Sequence, residues 1–282
     1  MLKIENLNKK FKNFEIKDVS FELKKGYIMG FIGPNGSGKT TTIKLIMNLL
    51  KKDSGSIEVF GKDNIKFERE IKDRIGFVYD EGYFYEDLTI KQMKNIVAPF
   101  YTQWDEKLFK KYMKDFSLDE TQKINKLSKG MKMKFALAIA LSHNADLIIM
   151  DEPTSGLDPI FRREILDILY SIIQDENKSI FFSTHITTDL ERIADYITFI
   201  DEGKIVFSKE KDLILESYAV VKGGNEDLTP ELEKSLLGFR KTNVGFEALT
   251  DDKNMIRDLL GEDVLIEKPS LEDIMFYIAR RQ

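Results

Sequence analysis

The chain has 282 residues, 42% hydrophobic and 32% charged, the balance of a folded protein of one or two domains rather than a disordered one. It has no cysteine and two histidines, His143 and His185, which excludes disulfides, thiolate metal sites, a cysteine nucleophile and a multi-histidine metal centre. The net charge of −5 argues against nucleic acid as the main partner, and the acidity is concentrated in residues 210–282, with ten basic and sixteen acidic side chains.

In chain order, LKIENL and FEIKDVSFEL alternate apolar and polar residues and predict two strands near the N-terminus. YIMGFIG (27–33) predicts a short buried strand that enters a glycine-rich turn, with an apolar helix over 40–50 behind it. SIEVF (56–60) and IGFVY (75–79) read as further strands; residues 88–117 carry helical periodicity, and another helix starts at Ser128. DLIIMD (146–151) is a continuous apolar run, the pattern of a strand buried on both faces of a parallel sheet. A helix over 159–175, the strand SIFFST, a helix over 187–195 and the strand YITFID complete an alternating α/β order, and Gly203 turns the chain into KIVFS. Beyond about residue 210 strands and helices alternate in shorter pieces, which predicts a small separate α+β unit.

Gly33-Pro34-Asn35-Gly36-Ser37-Gly38-Lys39-Thr40 matches the phosphate-binding loop in full, between a predicted strand and a predicted helix. Its glycines let backbone N–H groups turn inward around phosphates, and the helix N-terminus favours an anion there. Lys39 can reach terminal phosphates, and the Thr40 hydroxyl can ligate Mg²⁺. LIIMDE (147–152) delivers Asp151 to the tip of a buried strand, placed to hold Mg²⁺, with Glu152 next to orient or deprotonate a water. Leu127-Ser128-Lys129-Gly130-Met131 precedes this strand, Ser155-Gly156-Leu157-Asp158 comes after it, and His185 ends SIFFST.

With this ordered set the chain, over about residues 1–210, resembles the ATP-binding subunit of an ABC transporter, most closely those of ABC-2-type exporters. The resemblance implies an α/β fold: a P-loop NTPase core with an antiparallel β subdomain, an inserted helical subdomain at about 81–144, and a small C-terminal α+β unit. Its domains would be 1–209, the cassette, and 210–282, an accessory domain. It implies ATP and Mg²⁺ as cofactors and ATP hydrolysis coupled to transport. Gly33, Pro34, Asn35, Gly36, Ser37, Gly38, Lys39, Thr40 and Thr41 would hold the nucleotide, and Phe11 would stack on adenine. Thr40 and Asp151 would hold the metal, with Asp80 at the position of the family's glutamine. Glu152 and the switch histidine His185 would be catalytic. Ser128, Gly130 and Asp158 would act across a head-to-tail dimer.

Two departures stand out. Asp80 replaces glutamine, offering oxygen to Mg²⁺ but no hydrogen-bond donor when ionised. The signature reads LSKGM where the family has LSGGQ. The aromatic run Tyr83, Phe84, Tyr85 fits either a permease-docking surface or a locally packed turn. The N-terminus lacks an apolar signal core, and no apolar run approaches the ~20 residues that span a bilayer. The chain is therefore expected not to cross a membrane itself, and the resemblance implies membrane permease subunits and a second cassette, identical or not, as partners, without nucleic acid, at the cytoplasmic face of the cell membrane. The expected cargo is a peptide, toxin or antimicrobial leaving the cell. A soluble ABC-type ATPase acting on a macromolecular complex is the alternative. A GTP-driven switch is opposed by the missing Asn-Lys-x-Asp motif, and a non-hydrolysing regulatory module by Glu152 and His185.

Overall fold

A computed structural model of the chain describes residues 1–79, 84–261 and 264–279. Asp80 and Tyr83 lie outside the described residues. The chain divides into two compact units, one of Met1–Asp189 with Ile193–Ser208, the other of Leu190–Arg192 with Lys209–Gln282.

In the first unit, β1 (Leu2–Lys10) and β2 (Glu15–Leu23) form the predicted antiparallel pair, extended by β4 (Ser54–Val59) and the two-residue β5 (Lys62–Asp63) into a sheet of order β2-β1-β4-β5. The second sheet, ordered β10-β9-β3-β8-β7-β6, is built from β3 (Ile28–Ile32), β6 (Ile75–Val78), β7 (Leu147–Asp151), β8 (Ser179–Thr184), β9 (Tyr196–Asp201) and β10 (Lys204–Glu210). β3, β7 and β8 are buried at every residue, as strands covered on both faces must be. A single core joins the inner face of the first sheet (Leu2, Ile4, Val19, Leu23) to Phe31, Phe181 and Ile43. Phe21, Phe31 and Phe181 meet there with ring centroids 5.3–5.6 Å apart.

The helices of this unit are α1 (Lys39–Ile46), α2 (Glu68–Asp73), α3 (Ile90–Val97), α4 (Glu106–Asp115), α5 (Lys129–Leu141) and α6 (Pro159–Ile172), with α7 (Thr187–Ile193) running into the second unit. α1 stops short of the predicted residue 50, because Asn48 adopts a left-handed φ of 52° that ends the helix. α3 opens on a capping box between Thr89 and Gln92. α2 is not legible in the sequence: six residues with one buried side chain, Ile71, are too short to show a period.

The second unit has an antiparallel sheet of order β12-β13-β11-β14, from β11 (Ala219–Gly223), β12 (Gly238–Lys241), β13 (Phe246–Thr250) and β14 (Leu265–Glu267). Its helices are α8 (Lys211–Ser217), α9 (Pro230–Ser235), α10 (Lys253–Leu260) and α11 (Leu271–Ala279). Val221, Phe246 and Ala248 on the sheet pack with Leu232 of α9 and Ile256 of α10. The opposite face carries Lys222 between Glu247 and Glu267, at 3.6 and 2.7 Å. Glu191 of α7 belongs to this unit and accepts from the backbone N–H of Leu271 at 2.7 Å.

Candidate active site

Sheet register builds the site. Ile32 of β3 pairs with Thr184 of β8, and Ser183 of β8 pairs with Asp151 of β7. Three parallel strands thus end side by side, and the segments that leave them meet at one edge, where open α/β sheets bind ligands. The loop 33–38 leaves β3, Glu152 leaves β7, and His185 leaves β8.

Gly38 caps α1 with φ 111°, and a Cβ there would stand 2.6 Å from Cδ1 of Ile16 and 3.0 Å from Cζ of Phe14; only glycine fits. Lys39 is 6% exposed. Its Nζ donates to the carbonyls of Gly33 at 2.8 Å and Pro34 at 3.2 Å, and pairs with Oε1 of Glu152 at 3.3 Å. The other carboxylate oxygen of Glu152 accepts from the backbone N–H of His185 at 3.3 Å and lies 2.8 Å from its Nδ1. Glu152 itself holds φ 50°, an uncommon conformation for a side chain with a Cβ. Its backbone N–H is held by both oxygens of Ser183, each at 3.1 Å.

Asp151 is buried, and burial raises its carboxyl above the usual carboxylate range, against hydrogen bonds from the hydroxyls of Ser183 and Thr40. A buried acid joined to the Thr40 hydroxyl is chemically suited to a hard cation that also holds phosphate oxygens. The buried hydroxyl of Ser37 has no protein partner among the described residues, which leaves it available to a ligand at the loop. The residues present therefore fit both a triphosphate and Mg²⁺.

Two clefts share Phe14, Asn35 and Gly36 as lining. One, of about 390 Å³, is lined by Lys39, Thr40, Thr41, Glu152, Ser155 and His185 among others. The other, of about 670 Å³, is lined by Phe11, Pro34, Ser37, Asp201 and Glu202 among others. The Phe11 ring is stacked on Phe14 at 6.3 Å and remains 38% exposed. Sequence reasoning misses Phe14, Asp201 and Glu202. Phe14, three residues after Phe11 in the β1–β2 turn, is a visible signal, whereas the two acids come from the far end of β9, which sequence order does not relate to the loop.

Ser128, Gly130 and Asp158 line neither cleft. Ser128 caps α5 by accepting from the N–H of Met131, and Asp158 caps α6 by accepting from Ile160 and Phe161. Gly130 lies against the Phe161 ring, and Lys129 reaches over Gly156.

Residues 16–155 match the family described as ABC transporter. The chain is 36% identical over 209 residues to the bacitracin transport ATP-binding protein BcrA of Bacillus licheniformis, covering 73% of this chain and 68% of that protein. It is 35% identical over 215 residues to the lantibiotic transport ATP-binding protein SrtF of Streptococcus pyogenes, covering 75% of this chain and 92% of that protein. Among solved structures, an ATP-binding cassette determined as a dimer in a post-hydrolysis state, bound to ADP and Pi, superimposes with a TM-score of 0.66 at 25% identity, over 74% of this chain and 98% of that one. Among the described residues no helix is long and apolar enough to cross a membrane. A phosphate loop, a strand-end acid pair and a histidine gathered at one sheet edge, in a chain with these relatives, make this protein a member of the ABC transporter ATP-binding family, the ATPases that drive transport.

Proposed function

We propose that this chain is the ATP-hydrolysing cassette of an exporter for peptide antibiotics or related toxic peptides, and that it works at the cytoplasmic face of a membrane permease. The observation that carries the hydrolytic part is Glu152, held between Lys39 and His185 at the mouth of the phosphate cleft. Phe11 and Phe14 receive adenine. The loop from Gly33 to Thr41 holds the phosphates, and Lys39 exchanges its bond to Glu152 for the terminal phosphate. Thr40 and Asp151 are the residues that would hold Mg²⁺, and the ion would supply neutralisation of phosphate charge there. Glu152, released from Lys39, orients a water and accepts its proton as the water oxygen attacks the terminal phosphorus and ADP departs. His185 contacts the same phosphate and keeps Glu152 in place. Ser128, Gly130 and Asp158 complete the site of a second cassette, which is consistent with their position outside both clefts.

The named cargoes of the two relatives support the peptide reading. A groove of about 440 Å³ lined by Phe67, Arg69, Asp73 and Phe100, with Phe100 79% exposed, supports permease docking on that side. Glu152→Gln keeps size and one acceptor but removes the base. It is expected to bind ATP and to lose about 10²–10⁴-fold in turnover, the usual worth of a general base. Cells carrying only this variant are expected to become sensitive to the peptide the parent removes. Parental turnover in the variant overturns the role of Glu152, and unchanged sensitivity to peptide antibiotics overturns the cargo.

A further inference from the structure

Glu152 and His185 are carried by two separate turns, and their side-chain contact requires that both turns keep register. At its start the Glu152 turn is tied to β8 by the bonds from Glu152 N–H to Ser183, and beyond Glu152 its backbone bonds are local, from Ser155 N–H to Glu152 and from Leu157 N–H to Thr154. The turn after His185 is fixed by Ile186 N–H donating to the Thr184 hydroxyl. One buried carboxylate spans the two. Asp189, in the first turn of α7, is 1% exposed, and both of its oxygens are taken. Oδ2 accepts from the hydroxyl of Thr154, itself 1% exposed, at 2.6 Å. Oδ1 accepts from Nε of Arg162 on α6 at 2.6 Å, and the same guanidinium donates to the Thr188 hydroxyl at 2.6 Å. Thr154 is two residues from Glu152, and Asp189 is four from His185.

A buried charge is costly unless paired and hydrogen-bonded, so a carboxylate here must be held tightly by its partners or not be there. A hydrophobic contact between the same turns would cost nothing in desolvation, but it has no direction. The carboxylate fixes distance and angle at once. We propose that Asp189, through Thr154 and Arg162, is a positioning residue for hydrolysis: it locks the Glu152 turn to the His185 turn and holds Glu152 in its left-handed conformation. This rests on the hydrolytic roles assigned above to Glu152 and His185.

Asp189→Ala strands a buried hydroxyl and a guanidinium together and is a poor test, because it can simply unfold the protein. Thr154→Val removes one hydrogen bond at nearly constant volume, and Thr154→Ser keeps it. In the full-length chain, Thr154→Val is expected to lower kcat about tenfold with KM for ATP within about twofold, the pattern of a lost positioning contact rather than lost binding. Thr154→Ser should recover most of that loss. The chain has two histidines, so isotope-labelled imidazole resonances separate cleanly. Thr154→Val should move the His185 resonance in the direction that Glu152→Gln moves it and leave His143 in place. A Thr154→Val enzyme with parental kcat and an unmoved His185 resonance overturns the inference. So does a loss that falls on KM, or one that serine does not restore. If Glu152→Gln itself turns over normally, the underlying reading fails instead.

Discussion

At the scale of single residues, His143 shows how packing sets a titration. Its ring stacks on Tyr101 at 3.7 Å between centroids, with Nδ1 3.2 Å from the Ile139 carbonyl and Nε2 3.1 Å from the Ile75 carbonyl. Burial pushes the pKa below its ordinary 6.5; it outweighs the two carbonyls and Asp73, which favour the imidazolium, while Lys178 opposes it. The folded-state pKa lies below the unfolded one, so stability is fully present above pH 6.5 and is lost as pH falls through the window beneath it. His143→Gln should flatten the fall of Tm on acidification from neutral pH through that window, measured by thermal melts; an equally steep fall in both proteins refutes it. The ring joins α5 to the start of β6, so this acid sensitivity lies where that helix meets the parallel sheet of the first unit.

At the scale of elements, α5 and α6 touch where their first turns meet. A Cβ added to Gly130 would stand 2.8 Å from Cδ1 of Phe161, and Lys134 pairs with Glu164 at 2.6 Å one turn further along. Gly130→Ala therefore overfills a contact that a ring cannot vacate cheaply, at about 1–3 kcal/mol. At roughly 2–4 °C per kcal/mol for a unit of this size, Tm should fall by several degrees, read by calorimetry. An unchanged Tm would show that the two helices move apart freely.

At the scale of the whole molecule, the roles proposed for Ser128, Gly130 and Asp158 carry a prediction, because none of the three lines either cleft of the single chain. Hydrolysis should then need two chains. The rate per chain of the purified protein is expected to rise with protein concentration and level off once pairing is complete, measured as phosphate release at saturating ATP. A rate per chain that is flat over about a hundredfold dilution would mean that each cleft works alone.

Local sequence is enough to set the main elements and their order, because β3, β7 and β8 are short apolar runs, and because the loop 33–40 matches the phosphate-binding pattern in full. It also places Glu152 and His185 at the C-terminal ends of β7 and β8, one residue past Asp151 and Thr184. Short or edge pieces are not legible: β12, reading GFRK, is exposed on three of its four residues and shows no alternation. Tertiary structure alone decides which strand ends meet, since the β3–β8–β7 order comes from long-range pairing that no local spacing encodes. It likewise decides that Asp189 reaches Thr154 and Arg162. Residue type and spacing state what chemistry a side chain can perform, but the partner that holds a buried charge or fills a cleft is chosen by packing.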